Sequence, residues 1–305
     1  MAPTPETTAE SIEPEEGFID TPGGRTHFLD FGGSGIEAHF LHANGFCAGT
    51  YTPFIKFLAG ELRVVASDVR GHGGSVRLNT QRIRHWRIFA EDLRRRIQRN
   101  MSPPVIGIGH SLGAVCTYIA ASMYPDLFSG IVLIDPPILD GYTLAAMAVL
   151  KMLGLRGNIP LARNARRRKK TFNGKQEALR RFTSGKGIFK SWSTDFVEAY
   201  LECGLLEMDS GTAVLRCDPE LEAQIFESIP LNVWSYARRI ACPVLVFRGE
   251  HSDVFTDAAA RRLTRVIADC RLKILPDCGH FIPMESPRAC AREILQFVHE
   301  SVNPL

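Results

Sequence analysis

One serine stands where it could act as a nucleophile. Gly109-His110-Ser111-Leu112-Gly113 closes an apolar run and opens a helical one. A serine at a sharp strand-to-helix turn is held in a strained conformation with its hydroxyl outward. Its neighbours two places away must be tiny or they collide across the turn. The helix that starts behind Ser111 offers free N–H groups that favour nearby negative charge. A Gly-flanked serine that only caps a helix is the competing reading, and the strand before it and helix after it weigh against that. A serine hydroxyl is a weak nucleophile at neutral pH, so it needs a base, and the base needs an orienting partner. Two later loops offer them. Arg248-Gly249-Glu250-His251-Ser252-Asp253 follows one apolar run, and Cys278-Gly279-His280-Phe281 follows the next.

These groups lie far apart in the chain, so the elements between them must bring them together. THFLDFG (26–32) alternates as a strand should, and IEAHFLH (36–42) follows it. LRVVASD (62–68), PPVIGIGH (103–110), GIVLIDPP (130–137), CPVLVFRG (242–249) and CRLKILPD (270–277) are apolar runs suited to strands buried on both faces. Helical patterns alternate with them. From 83 to 97, Ile83, Trp86, Phe89, Ala90, Leu93 and Ile97 recur at three- and four-residue steps, with Arg84, Arg87, Arg94, Arg95 and Arg96 as a solvated face. Ser111–Met123, Asp257–Ile267 and Arg288–Val298 read as further helices. The fold class is therefore α/β, a mostly parallel central sheet with helices on both faces, and its site belongs at the carboxyl ends of the strands.

The domain organisation follows from where this rhythm breaks. Residues 138–236 show helical patterns and no clear strand, which predicts a helical cap or lid inserted into a core of 17–137 and 237–305. Within it ARNARRRKK (162–170) carries six positive charges in nine residues. A solvated face or mobile loop is the ordinary reading of such a run. Residues 1–16, with five Glu and no Lys or Arg, are expected to be a disordered acidic tail and not a secretory signal.

Composition narrows the classes further. Hydrophobic residues are 45% and charged residues 23%, which excludes a wholly disordered or collagen-like chain. The net charge of +3 is too small to imply nucleic acid, and no apolar run is long enough to span a bilayer, so no stable membrane insertion is expected. Eight Cys are scattered without C-x-x-C or zinc-type spacing. They are expected to be free, mostly buried thiols in a reducing cytoplasm. Cys47 and Cys278 fall close to the loops that carry chemistry, with nothing to make either a nucleophile.

HANGF (42–46), DVRGHGGS (68–75), GHSLGA (109–114), RGEHSD (248–253) and GHFIPMESP (279–287) occur in one order along the chain. In this the chain resembles the α/β-hydrolase superfamily, in its capped, serine-nucleophile branch, from about residue 17 onward. The resemblance implies Ser111 as nucleophile, His280 as general base and then acid, and Asp253 as the carboxylate that orients His280. Glu250 and Asp135 are the rival acids, and Asp253 is preferred to both. The resemblance also implies an oxyanion hole from the Leu112 N–H and a second donor in the HANGF loop. That donor is assigned to Asn44, with Gly45 or Phe46 as alternatives, because relatives often have His-Gly where this chain has His42-Ala43. Gly45, Phe46 and His110 would border the substrate, although His110 could equally pack against strands. His42 and His72 are read as loop braces, His251 is set aside as a base, and Glu285 is placed near the start of the last helix. No metal or cofactor is implied. The substrate would be a small-molecule carboxylic ester or related acyl compound. Carbon–carbon bond hydrolysis, thioester or lactone hydrolysis, or a ligand receptor with little turnover are the alternatives.

Overall fold

The computed structural model describes residues 13–76, 82–185 and 187–302. Most of the tail expected over 1–16 lies outside the described residues, but Glu15 and Glu16 begin a strand. The first half of the chain runs β1 (Glu15–Thr21), β2 (Gly24–Asp30), β3 (Ile36–Leu41), α1 (Thr52–Ile55), β4 (Leu62–Ser67), α2 (Arg87–Asn100), β5 (Val105–His110), α3 (Leu112–Met123) and β6 (Phe128–Ile134). An insert follows, with α4 (Gly141–Met152), α5 (Pro160–Arg166), β7 (Thr171–Phe172), α6 (Lys175–Phe182), α7 (Thr194–Gly204), β8 (Leu205–Glu207), β9 (Ala213–Leu215), α8 (Pro219–Glu227) and α9 (Trp234–Ala237). The chain then completes the main sheet with β10 (Val244–Gly249), α10 (Asp257–Val266), β11 (Cys270–Leu275), α11 (Ile282–Glu285) and α12 (Pro287–Ser301).

The main sheet has eight strands in the order β1-β2-β4-β3-β5-β6-β10-β11. Only β2 runs against its neighbours; β4, β3, β5, β6, β10 and β11 are parallel. Successive residues of a strand point to opposite faces, and both faces of the central strands are apolar and covered, while the edge strands β1 and β11 are largely exposed. Phe40, Val64 and Val132 pack on one side, with Phe54 and Phe297 of the covering helices. Leu41, Val65 and Leu133 pack on the other, with Leu93, Val115 and Leu263. Because the strands are parallel, the loops after β3, β5, β6, β10 and β11 emerge at one edge, and those loops hold or adjoin every candidate site residue.

Several expectations need correction. Arg96 is not on a solvated face. It is buried, donates to Thr26 Oγ1 at 2.7 Å and stacks over the Phe28 ring at 4.6 Å. The long guanidinium stem fits an apolar wall once its head has an acceptor. The insert is not purely helical, since β7, β9 and β8 form a small antiparallel sheet. The basic run is an exposed face, as expected, but most of its cations are paired. Arg166 pairs with Glu220 and Glu227, Arg168 with Glu222, Lys169 with Glu177 and Lys170 with Asp218. Four of these five acids lie on α8 or at its N-cap, so the run is mostly one side of an ion-pair array inside the insert. Finally, Cys47 and Cys203 are joined as a disulfide, while the other six cysteines are free. α7 packs against the turn that follows Phe46, and that brings the two Cα atoms to 6.4 Å, within bonding geometry. Among the described residues, no helix is long and apolar enough to cross a membrane.

Candidate active site

Ser111 sits in the one-residue turn between β5 and α3 at φ 54° and ψ −115°. A positive φ costs a non-glycine residue energy, so the surroundings must enforce it, and the glycines explain how. A Cβ on Gly109 would lie 2.4 Å from the Gly113 backbone, and one on Gly113 would lie 2.0 Å from the Leu41 carbonyl oxygen. The turn therefore closes on itself and packs against the end of β3, bringing the start of α3 beside the HANGF loop. The Ser111 N–H donates to Ile134 O, which fixes the turn to β6.

His280 meets this serine from the loop after β11. Its Nε2 lies 3.0 Å from Ser111 Oγ, and its Nδ1 lies 2.7 Å from Asp135 Oδ2. Asp135 is fully buried at the end of β6, itself at a positive φ of 43°. Its remaining acceptor capacity is used: Oδ1 accepts from the Gly249 N–H at 3.0 Å, and Oδ2 also accepts from Ser252 Oγ at 2.6 Å. A buried carboxylate held by three donors keeps its orientation.

The carboxylate that meets His280 is thus Asp135 and not Asp253. Asp253 is exposed. The loop after β10 turns its neighbour Ser252 inward to hold Asp135, and this turns Asp253 out to solvent. Glu250 also points away, accepting from the Asp277 N–H at 3.1 Å. Glu250, His251 and Asp277 bring ligand-type atoms within 4.8 Å of one another, but all three are exposed.

The HANGF loop is held by buried neutral imidazoles. His42 donates from Nδ1 to Ala43 O at 2.7 Å and accepts the Val69 N–H at Nε2, at 2.9 Å. His72 accepts the Gly45 N–H at 3.1 Å. Burial pushes both imidazoles below the ordinary histidine range, His72 to about 3, which keeps them uncharged and able to accept. These bonds bear on the second oxyanion donor. The Gly45 N–H is committed to His72, and the Phe46 N–H to Ala43 O. Neither is free for a ligand.

His110 does not face substrate. It is fully buried, and burial holds it well below the usual imidazole range. The Ala43 N–H donates to Tyr51 Oη, the Tyr51 hydroxyl donates to His110 Nδ1 at 2.6 Å, and His110 Nε2 donates to the His280 carbonyl at 2.9 Å. This chain of bonds, invisible in the sequence, ties the HANGF loop to the backbone of His280. Glu285 fixes the same loop from the other side. It ends α11, two residues before the last helix α12, where Oε2 accepts from the Gly279 N–H and Oε1 accepts from Ser191 Oγ of the insert.

Aromatic rings from core and insert cover the site. Phe46, Trp192 and Phe281 stand within 5.4 to 5.9 Å of one another, centroid to centroid, and Phe281 is 5.1 Å from the His280 ring. Within this cluster the Trp192 Nε1–H is buried with no acceptor. An unpaired buried donor costs free energy, and a ligand oxygen would satisfy it. Gly45 borders the insert as well, because a Cβ there would reach Glu222 and Arg168.

A family model described as "Alpha/beta hydrolase family" matches residues 40–293. The chain belongs to that family. It is 25% identical over 267 residues to the 2-(acetamidomethylene)succinate hydrolase of Mesorhizobium japonicum, covering 87% of this chain and 89% of that protein. It is also 25% identical over 295 residues to human monoacylglycerol lipase ABHD6, covering 89% and 79%. Among solved structures, the thioesterase domain from the curacin biosynthetic pathway superposes with a TM-score of 0.76 at 19% identity, covering 93% of this chain and 99% of that one. That last likeness is one of fold.

Proposed function

We propose that this α/β hydrolase cleaves carboxylic esters through a Ser111–His280–Asp135 triad. The observation that carries the reading is the continuous line Ser111 Oγ, His280, Asp135, with 3.0 and 2.7 Å links and a fully buried carboxylate at its end. His280 Nε2 takes the hydroxyl proton as Oγ bonds to the ester carbonyl carbon. Asp135 holds the imidazole in the tautomer with Nδ1–H and stabilises the imidazolium that forms. The N–H groups of Leu112 and Asn44 receive the charge that develops on the carbonyl oxygen. Two such donors contribute roughly 3 kcal/mol each. The C–O bond then breaks, and the alcohol leaves with the proton from His280. Water, deprotonated by the same imidazole, attacks the acyl-enzyme and releases the acid and Ser111.

An ester is favoured over an anionic substrate by what lines the site. The rings of Phe46, Trp192 and Phe281 offer an apolar wall with one spare N–H. Arg168, the cation that borders Gly45, is already neutralised by Glu222 at 2.5 Å. The relative named as a monoacylglycerol lipase points the same way.

The test is covalent and kinetic together. A fluorophosphonate should label the wild type, and p-nitrophenyl esters should turn over. Ser111→Ala should lose both, with turnover reduced by about a million-fold and the thermal midpoint retained. Ester hydrolysis that persists in Ser111→Ala overturns the reading. Labelling without turnover of esters, but with turnover of thioesters or vinylogous diketones, keeps the triad and replaces the substrate class.

A further inference from the structure

Helix α4 is apolar around most of its circumference, yet it buries none of its residues. An apolar helix in water needs a cover. One face has one, since Met147 and Leu150 pack on the small cluster of Ile159, Ala162, Ala165 and Ala223. The opposite face has none. Tyr142, Ala145, Val149 and Met152 follow a 3-4-3 spacing, which places them on one stripe, and all four are exposed. Tyr142 is 85% exposed and Met152 78%. The chain continues outward with exposed Leu153, Leu155 and Leu161. Among the described residues twelve large hydrophobics are exposed, and six of them fall between 142 and 161. Such a concentration marks a contact surface.

The charge beside this patch says what the contact is. Residues 141–170 contain no Asp or Glu. Of the six cations in the 162–170 run, Arg166, Arg168, Lys169 and Lys170 are paired inside the insert. Arg156, Arg163 and Arg167, on the same segment as the exposed apolar residues, are themselves exposed. No described carboxylate lies within ion-pair distance of any of them. A second copy of the chain would bring like charges together around the stripe. An anionic lipid surface offers apolar depth for the first set and phosphate for the second.

We propose that this face of the insert docks reversibly on anionic membranes, with α4 lying in the headgroup plane. At 12 residues α4 lies on a bilayer and does not cross it. The inference is independent of the ester reading, because its test measures binding and not hydrolysis.

The experiment is flotation of the full chain with vesicles of phosphatidylglycerol and phosphatidylcholine, and with vesicles of phosphatidylcholine alone. The wild type should float with the first and hardly with the second, and high salt should release it. Arg156→Gln/Arg163→Gln/Arg167→Gln should weaken partitioning by about a hundredfold, from roughly fivefold per cation. Met152→Glu/Leu153→Glu should abolish flotation with circular dichroism and thermal midpoint unchanged. The proposal is overturned if the wild type does not float with anionic vesicles, if it floats equally with neutral ones, or if the Glu pair floats as well as the wild type. Sedimentation that shows a dimer, lost in the Glu pair and accompanied by no vesicle binding, gives the face to a second copy and also overturns it.

Discussion

Helices α3 and α4 have the same length and similar apolarity, and they have opposite fates. Both are 12 residues long, but α3 buries eleven of its residues and α4 buries none. α3 starts at Ser111 and is enclosed by the sheet, α2 and α9. α4 starts the insert, buries no residue fully and leaves one stripe open. The helix that begins at Ser111 is thus locked by packing, and the first helix of the insert is left open along one stripe. An apolar sequence alone does not say whether the protein or something outside it supplies the cover.

The sharpest way to break this contrast is at the acid. Asp135→Asn should lower kcat by about ten-thousand-fold, and Asp253→Asn should leave it near wild type; p-nitrophenyl ester kinetics on both variants decide it. Equal losses would mean that the loop after β10 rearranges during turnover. The next effect is on stability. Ile119→Ala in α3 should cost about 2–5 kcal/mol in a urea unfolding titration, since Ile119 is 1% exposed.

A third effect is on pH. Burial holds His39 and His72 near pKa 3, against 6.5 for a free imidazole. Between those values the unfolded chain binds more protons than the folded one, so stability is full above pH 6.5 and falls as pH drops. Each contributes a slope of up to about 1.4 kcal/mol per pH unit. Both lie in the core, so the urea midpoint should fall from pH 7 to pH 5 through loss of the core. The smallest effect belongs to α4, where Met152→Ala should change stability by less than about 0.5 kcal/mol in the same titration. A large loss there would show that α4 is packed in solution.

How much of this was legible in the sequence differed by element. Ser111 and His280 lie in local motifs, where neighbouring residues carry the signal. The central strands of the main sheet showed as apolar runs and β2 as an alternation, but β1, at the polar edge, gave no such signal. The acid was not decidable in the same way. Asp135 and Asp253 both follow a strand and both keep the order Ser, Asp, His. What separates them is which loop reaches inward, and the inward side chain of the second loop is Ser252, not Asp253. Arg96 read as surface because its acceptors Thr26 and His27 are some seventy residues away. β7, β8 and β9 span two or three residues each, too few to show a period. The Cys47–Cys203 pair, separated by 156 residues, becomes evident only once α7 lies on the turn after Phe46.

That bond has a mechanical consequence. It pins the final turn of α7 to the residue that follows the HANGF loop. A roof nailed at this corner cannot lift off as a rigid plate.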